Sequence, residues 1–198
     1  GSVTEGEVSE AFQFAVLHEL PVIYLVQDND WGISVSSDEA RTMDAYEYAA
    51  GFKGMERVRV DGSDFPDSYK TMQYTIDWVR KERKPILVHA KVPLLGHHTS
   101  GVRKEWYRTE EDLAKHETDD PGPRLRKLLL KKGFTEAQLD AIEKEEQEFV
   151  AREFAEAVAA AEPDPATVTD HVFVPTPVIE EKGIRLPDGK DKSVMVDA

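Results

Sequence analysis

The sequence predicts an α/β domain built as a parallel sheet flanked by helices, followed by C-terminal helices and an extended tail. Two apolar runs, Val22-Ile23-Tyr24-Leu25-Val26 and Pro85-Ile86-Leu87-Val88-His89-Ala90-Lys91-Val92, read as strands buried on both faces. Helical periodicities alternate with these runs, and repeating βαβ units imply a parallel sheet with right-handed crossovers.

The elements follow in order. Val8, Ala11, Phe12, Ala15, Val16 and Leu17 recur at helical spacing and set the first helix. The first strand comes after Pro21. Ser36-Ser37-Asp38-Glu39 is a helix start with an acidic first turn, leading into Tyr46, Tyr48, Ala49, Ala50 and Phe52 and stopping between Gly51 and Gly54. Arg57-Val58-Arg59-Val60 alternates as a short strand does. Asp61-Gly62-Ser63-Asp64 is then a turn and N-cap before Tyr69, Met72, Ile76 and Val79, with Asp61 and Asp64 read as structural turn and cap residues. These elements, with the Pro85–Val92 strand, make residues 1–109 one α/β domain.

From 110 to 162 the pattern is helical, with Leu125, Leu128, Leu129, Leu139, Ile142, Phe149, Val150, Phe154, Ala157 and Val158 in register. The charge run Glu143–Glu148 is a solvated helix face. Pro163-Asp164-Pro165 ends the helix. Residues 163–192 form a proline-punctuated linker with Phe173 and Val174 as anchors. Ser193–Ala198 reads as the start of a following domain.

Composition narrows function. With 39 acidic and 25 basic residues the net charge is −14, the opposite of a nucleic-acid footprint. No apolar run reaches 18 residues, so no membrane span is expected. The chain has no cysteine, which removes CxxC zinc and redox sites and fits a reducing compartment.

Chemistry concentrates in two places. Gln27-Asp28-Asn29-Asp30-Trp31-Gly32-Ile33-Ser34 lies just past the first strand, at the sheet edge where α/β proteins bind ligands. Its oxygen-rich side chains are the hard donors that Mg²⁺ or Ca²⁺ prefers; equally, they can close a local Asx-type turn. Gly1-Ser2 at the start of the first helix offers backbone N–H groups to a phosphate. Past the second apolar strand, Gly96-His97-His98-Thr99-Ser100-Gly101 runs on to Trp106-Tyr107-Arg108. A His in a glycine-flanked loop beyond a strand end is placed to meet a ligand. Its other meaning is an ordinary turn, and adjacent residues pointing opposite ways make poor joint metal ligands.

The stretches GSVTEGEVSEAFQFA and LPVIYLVQDNDWGIS, with the GHHTS loop ending in Tyr-Arg, resemble the α-subunit of the thiamine diphosphate-dependent 2-oxoacid dehydrogenase decarboxylating component. Gly1 matches the last residue of that family's Gly-Asp-Gly triplet, and Asp28-Asn29 its Asn-Asn pair. The spacing from Gly96 to Arg108 is similar to the branched-chain (2-oxoisovalerate) members. The resemblance implies a partial thiamine diphosphate-binding fold, the diphosphate-binding domain. It implies thiamine diphosphate and Mg²⁺ as cofactors: Asn29 through its side chain and the Trp31 carbonyl as metal ligands, with Gly1, Ser2 and His98 contacting the cofactor. His98 would also assist proton or acyl transfer as the catalytic residue, in a loop held by Tyr107 and Arg108. The implied reaction is oxidative decarboxylation of a branched-chain 2-oxo acid with acyl transfer to a lipoyl-bearing acyltransferase. A β-type subunit or domain would complete the site. Pyruvate or acetoin dehydrogenase is the alternative within the family, and a non-catalytic α/β assembly module the alternative outside it. The bacterial cytoplasm is the implied location, with the mitochondrial matrix as alternative.

Departures from the family pattern limit the carry-over. The Asp of Gly-Asp-Gly would fall one residue before Gly1, and Asp28 replaces an Asn. Thr99 stands where animal enzymes carry a regulated Ser, but Val102 and Arg103 replace the acidic residues after it, so kinase regulation is not carried over. Some members fuse α- and β-type parts, and residues 1–198 are expected to be a fragment of such a fusion, inactive alone.

Overall fold

The computed structural model describes residues 2–172. Gly1, the anchors Phe173 and Val174, and the segment Ser193–Ala198 lie outside the described residues. A short 3₁₀ turn at Ser2–Thr4 leads into α1 (Gly6–Leu17) and β1 (Ile23–Asp28). A two-residue hairpin, β2 (Trp31–Gly32) against β3 (Val35–Ser36), comes next, then the short helices α2 (Ser37–Ala40) and α3 (Ala45–Tyr48). β4 (Glu56–Asp61), α4 (Phe65–Glu82) and β5 (Ile86–Lys91) complete the sheet, and α5 (Glu110–Thr118), α6 (Pro121–Lys131) and α7 (Glu136–Ala159) follow.

The sheet is parallel in the order β1-β5-β4, the fold class the sequence predicts. β5 is the central strand, which is why Ile86 to Ala90 are all buried. On one face Leu87 packs with Phe12, Ala49 and Met55, bordered by Tyr24, Val26, Tyr48 and Phe52. Phe12 meets Tyr24 and Phe52 edge-on at centroid distances of 4.8 and 5.3 Å, the offset geometry aromatic quadrupoles favour. On the other face Val88 and Ala90 join Val60, with Val58 and Met72 packed against them. Register puts Asp28, Lys91 and Asp61 in one row at the carboxyl edge, two residues beyond the row Val26, His89 and Arg59. Alternate residues share a face, so this charged edge continues the face that carries Leu87.

Local signals account for most element boundaries. Asp64 caps α4 by accepting the Asp67 N–H at 2.9 Å, with Pro66 in the first turn. The helix start at Ser36 is also as expected, since Ser36 and Glu39 bond reciprocally. The single helix expected from there to Phe52, however, is two. Arg41 turns extended (φ −155°, ψ 151°), ending α2 after one turn, and a second capping box, Asp44 with Glu47, restarts the helix. An uninterrupted helix would deny Arg41 its place against Asp28.

The chain forms two compact units, the first ending at Glu145 and the second beginning at Glu146. In the first, Arg126 of α6 pairs with Glu136, Asp140 and Glu143. In the second, the end of α7 is followed by a 3₁₀ turn, Pro165–Thr169, capped by Asp164. Among the described residues no helix is long and apolar enough to cross a membrane.

Gly62 fixes the approach of the β4–α4 turn to β5. Its N–H donates to the Lys91 carbonyl at 2.8 Å, and a Cβ there would lie 2.5 Å from Val92 Cγ1 and 2.8 Å from that oxygen. Gly62→Ala is therefore expected to destabilise the domain by about 2 kcal/mol through overpacking, read as a lowered denaturation midpoint.

Candidate functional site

Two clefts open at the carboxyl edge of the sheet. One, of about 560 Å³, is lined by Ser2, Thr4, Phe12, Asn29, Trp31 and Arg41 among others. The other, of about 780 Å³, is lined by Asp28, His89, Lys91, Asp44, Asp61 and Arg124 among others. Both are within the usual range for small-molecule sites.

Asp28 ends β1 between them. Its carboxylate is almost wholly buried and makes four interactions. Oδ2 accepts from Arg41 Nη2 at 2.6 Å and from His89 Nε2 at 2.9 Å, so His89 carries a proton on Nε2. Oδ1 accepts the Asp30 N–H at 3.2 Å, and Lys91 Nζ stands 3.8 Å from Oδ2. Burial alone would raise the carboxyl pKa. The hydrogen bonds from His89, Arg41 and the Asp30 amide, with the Lys91 charge, outweigh it and hold Asp28 far below the usual carboxylate range. The network continues: Asp44 Oδ2 accepts from Arg59 at 2.7 Å and lies 3.6 Å from His89 Nδ1, a buried atom with no hydrogen-bond partner.

The segment after Asp28 is a pair of overlapping Asx turns. Asn29 Oδ1 accepts the Trp31 N–H at 3.0 Å, just as Asp28 accepts that of Asp30. Asp30 and Ile33 both sit in the left-handed region, at φ 66° and 61°. That conformation is unusual for Asp and strained for a β-branched residue. At Asp30 it persists because neighbours fix it from outside: Ser37 N–H bonds the Asp30 carbonyl at 2.7 Å, and Lys91 pairs with the Asp30 carboxylate. The turn closing locally does not remove Asn29 as a donor, since an amide oxygen keeps a second lone pair.

The structure thus brings Ser2, Asn29 and Trp31 to one cleft. His98 lines neither cleft; it sits exposed on the loop after β5. His97 is bonded within that loop, its Nδ1 accepting the Lys104 N–H at 3.1 Å.

The loop and the turn are nevertheless joined at their bases. Trp31 packs its ring against Tyr107 (centroids 5.5 Å apart) and under the Arg108 guanidinium, also at 5.5 Å. Arg108, buried, donates to the Leu94 carbonyl at 2.8 Å and pairs with Asp112. Leu94 N–H in turn donates to His116 Nδ1 at 2.8 Å. Residues 94 and 108, the two ends of the His98 loop, are pinned by one cluster.

Sequence reasoning missed Arg41, His89 and Asp44. A histidine inside a run buried on both faces was the available signal, because such a group must be partnered. Arg41 carried none. Among the described residues no three His, Asp or Glu side chains gather into a metal-holding group.

A model of the dehydrogenase E1 component family matches residues 1–166. The chain belongs to this family. E1-family enzymes depend on thiamine diphosphate. The chain is 34% identical over 161 residues to the pyruvate dehydrogenase E1 component subunit alpha of Rickettsia typhi, covering 79% of this chain and 48% of that protein. It is 32% identical over 140 residues to the 3-methyl-2-oxobutanoate dehydrogenase subunit alpha of Mycobacterium tuberculosis, covering 71% and 38%. With the mitochondrial 2-oxoisovalerate dehydrogenase subunit alpha of Mus musculus it shares 27% over 179 residues, covering 89% and 40%. The chain thus spans about half the length of these curated relatives or less. The donor set of the smaller cleft fits the family's cofactor: an amide oxygen and main-chain groups suit Mg²⁺, and paired cations offset the charge of Asp28 and Asp30.

The His116 anchor is pH-sensitive. Burial first, then the Arg108 charge, lowers its pKa below 6.5, with Asp112 and Asp30 opposing. The folded form therefore binds fewer protons than the unfolded one just below pH 6.5, and stability must fall there as pH falls. Protonating Nδ1 also removes the acceptor for Leu94. Amide exchange at Leu94 is expected to quicken as pH drops below 6.5, after correction for intrinsic rates, and His116→Gln to flatten that dependence.

Proposed function

We propose that this chain is the diphosphate-binding part of a 2-oxoacid dehydrogenase, acting in oxidative decarboxylation of a 2-oxo acid. The observation that carries the proposal is the placement of Ser2, Asn29 and Trp31 around one cleft at the carboxyl end of β1, in a chain of the E1 family. When bound, thiamine diphosphate supplies the carbon nucleophile that adds to the keto group and holds the electron pair left by CO₂ loss.

The residues of this chain do the holding. Asn29 offers its carboxamide oxygen and Trp31 its carbonyl to Mg²⁺. Gly1 and Ser2 are the residues proposed to give N–H groups to the diphosphate. Ser2 opens the 3₁₀ turn Ser2–Thr4, and α1 begins only at Gly6, so its dipole end lies beyond them rather than at them as the sequence suggested. Arg41 and Lys91 neutralise Asp28 and Asp30, so the site does not repel an anion. His98 is the group assigned to hold or deliver a proton on the reaction side, in a loop whose ends are fixed by Arg108 and His116. A β-type subunit or domain supplies the rest of the site, and a lipoyl-bearing acyltransferase accepts the acyl group. The setting proposed is the bacterial cytoplasm.

The preferred substrate is a branched-chain 2-oxo acid, on the spacing from Gly96 to Arg108; the Mycobacterium and mouse relatives favour it too. Pyruvate is the second reading, favoured by the Rickettsia relative.

Calorimetry on the full-length enzyme with its β-type partner tests the proposal. Thiamine diphosphate should bind in a Mg²⁺-dependent manner, and Asn29→Ala should weaken binding by about 1–3 kcal/mol, as for a lost hydrogen-bonding or ligand group. No Mg²⁺-dependent binding would leave an assembly module as the better account. Turnover of 2-oxoisovalerate faster than pyruvate supports the branched-chain reading, and the reverse order replaces it.

A further inference from the structure

We infer that Asp28, clamped by Arg41 and His89, is a positioning residue that sets the affinity of the Asn29–Trp31 turn for Mg²⁺ and diphosphate. This rests on the site proposed above and adds to it a residue that touches neither metal nor cofactor.

The geometry is that of a hinge pin. Asp28 is the last residue of β1, and its carbonyl accepts the Val92 N–H at 3.0 Å, so its backbone belongs to the rigid sheet. Its side chain reaches forward and back. Oδ1 takes the Asp30 N–H and so shapes the turn that presents Asn29 and the Trp31 carbonyl. Oδ2 takes Arg41, which stands on the far side of the β2–β3 hairpin, 13 residues on. The Arg41–Asp28 pair therefore closes the loop that contains both proposed ligands. His89, from the central strand, fixes the same oxygen from behind at 2.9 Å.

The turn needs such a clamp. Asp30, the residue between Asn29 and Trp31, is held in the left-handed region, and strained conformations persist only where surroundings over-determine them. Freeing Oδ2 would leave Arg41 and His89 without their carboxylate and let the turn relax, moving the Asn29 oxygen and Trp31 carbonyl apart. Outer residues that orient metal ligands commonly change metal affinity about 10- to 100-fold when altered. Arg59 gives an internal control: it belongs to the same polar network through Asp44 but makes no contact with Asp28 or the turn.

The test uses the full-length enzyme with its β-type partner, titrated with Mg²⁺ and thiamine diphosphate by calorimetry. Asp28→Asn, which keeps an acceptor for Asp30 but loses the charge facing Arg41, should weaken binding about tenfold or more. Arg41→Met should do the same from the other side, and its result stands alone if the Asp28 variant does not fold. Arg59→Met should leave cofactor affinity within about twofold, less than the tenfold that 1.4 kcal/mol represents. Parent-like affinity in both Asp28→Asn and Arg41→Met overturns the inference while leaving the proposed site intact. An equal loss in Arg59→Met also overturns it, because the effect is then general destabilisation. Absence of Mg²⁺-dependent binding in the parent enzyme overturns the site itself, and the positioning role with it.

Discussion

A single buried carboxylate organises the carboxyl edge of this domain. Asp28 is shielded from water, so its charge is tolerable only while every oxygen is answered. Arg41 and His89 answer one oxygen and the Asp30 amide the other. Each partner lies in a different element: the connection after α2, the central strand β5, and the turn after β1. Satisfying one charge thereby fixes three segments relative to one another. The break between α2 and α3, costly in helical hydrogen bonds, follows from the same requirement.

A second cluster continues outward from that point. Trp31 leaves the Asx turn with its ring against Tyr107 and Arg108, and Arg108 is itself bound to Leu94 and Asp112. Burial raises the Asp112 carboxyl, and the Arg108 hydrogen bond and charge more than reverse this, keeping it ionised. Apolar stacking and charge-assisted bonds thus join the turn to both ends of the His98 loop. The loop's middle leaves His98 exposed and is tied within itself, His97 Nδ1 accepting the Lys104 N–H.

Much of this was legible from residue pattern. The β5 strand, the Asp64 cap of α4, and the role of Tyr107 and Arg108 at the base of the loop all follow from local periodicity, capping chemistry or family likeness. Local signals fail where long-range pairing decides. Helical spacing across Ser36–Phe52 gives no sign that Arg41 turns out to meet Asp28, because the competing interaction is 13 residues away. Asp28 itself reads as a turn residue, which it is, but its second oxygen faces His89, 61 positions along the chain. The Trp31–Ser36 hairpin is too short to show an alternating pattern. One atom, Asn29 Oδ1, both closes the second Asx turn and is a proposed metal ligand, so the structural and functional meanings of Asn29 coincide.

Beneath the oxygen-rich turn at this edge lies the clamp of Asp28, Arg41 and His89. The account rests on Asp28 and Arg41 acting as one unit upon the turn. The direct measurement is a double-mutant cycle of Asp28→Asn and Arg41→Met in the full-length enzyme, read as amide hydrogen exchange at Asp30 and Trp31. Each single variant should speed exchange at both amides, and the double variant should be little faster than either. Exchange unchanged in the single variants, or effects that simply add in the double, would contradict it.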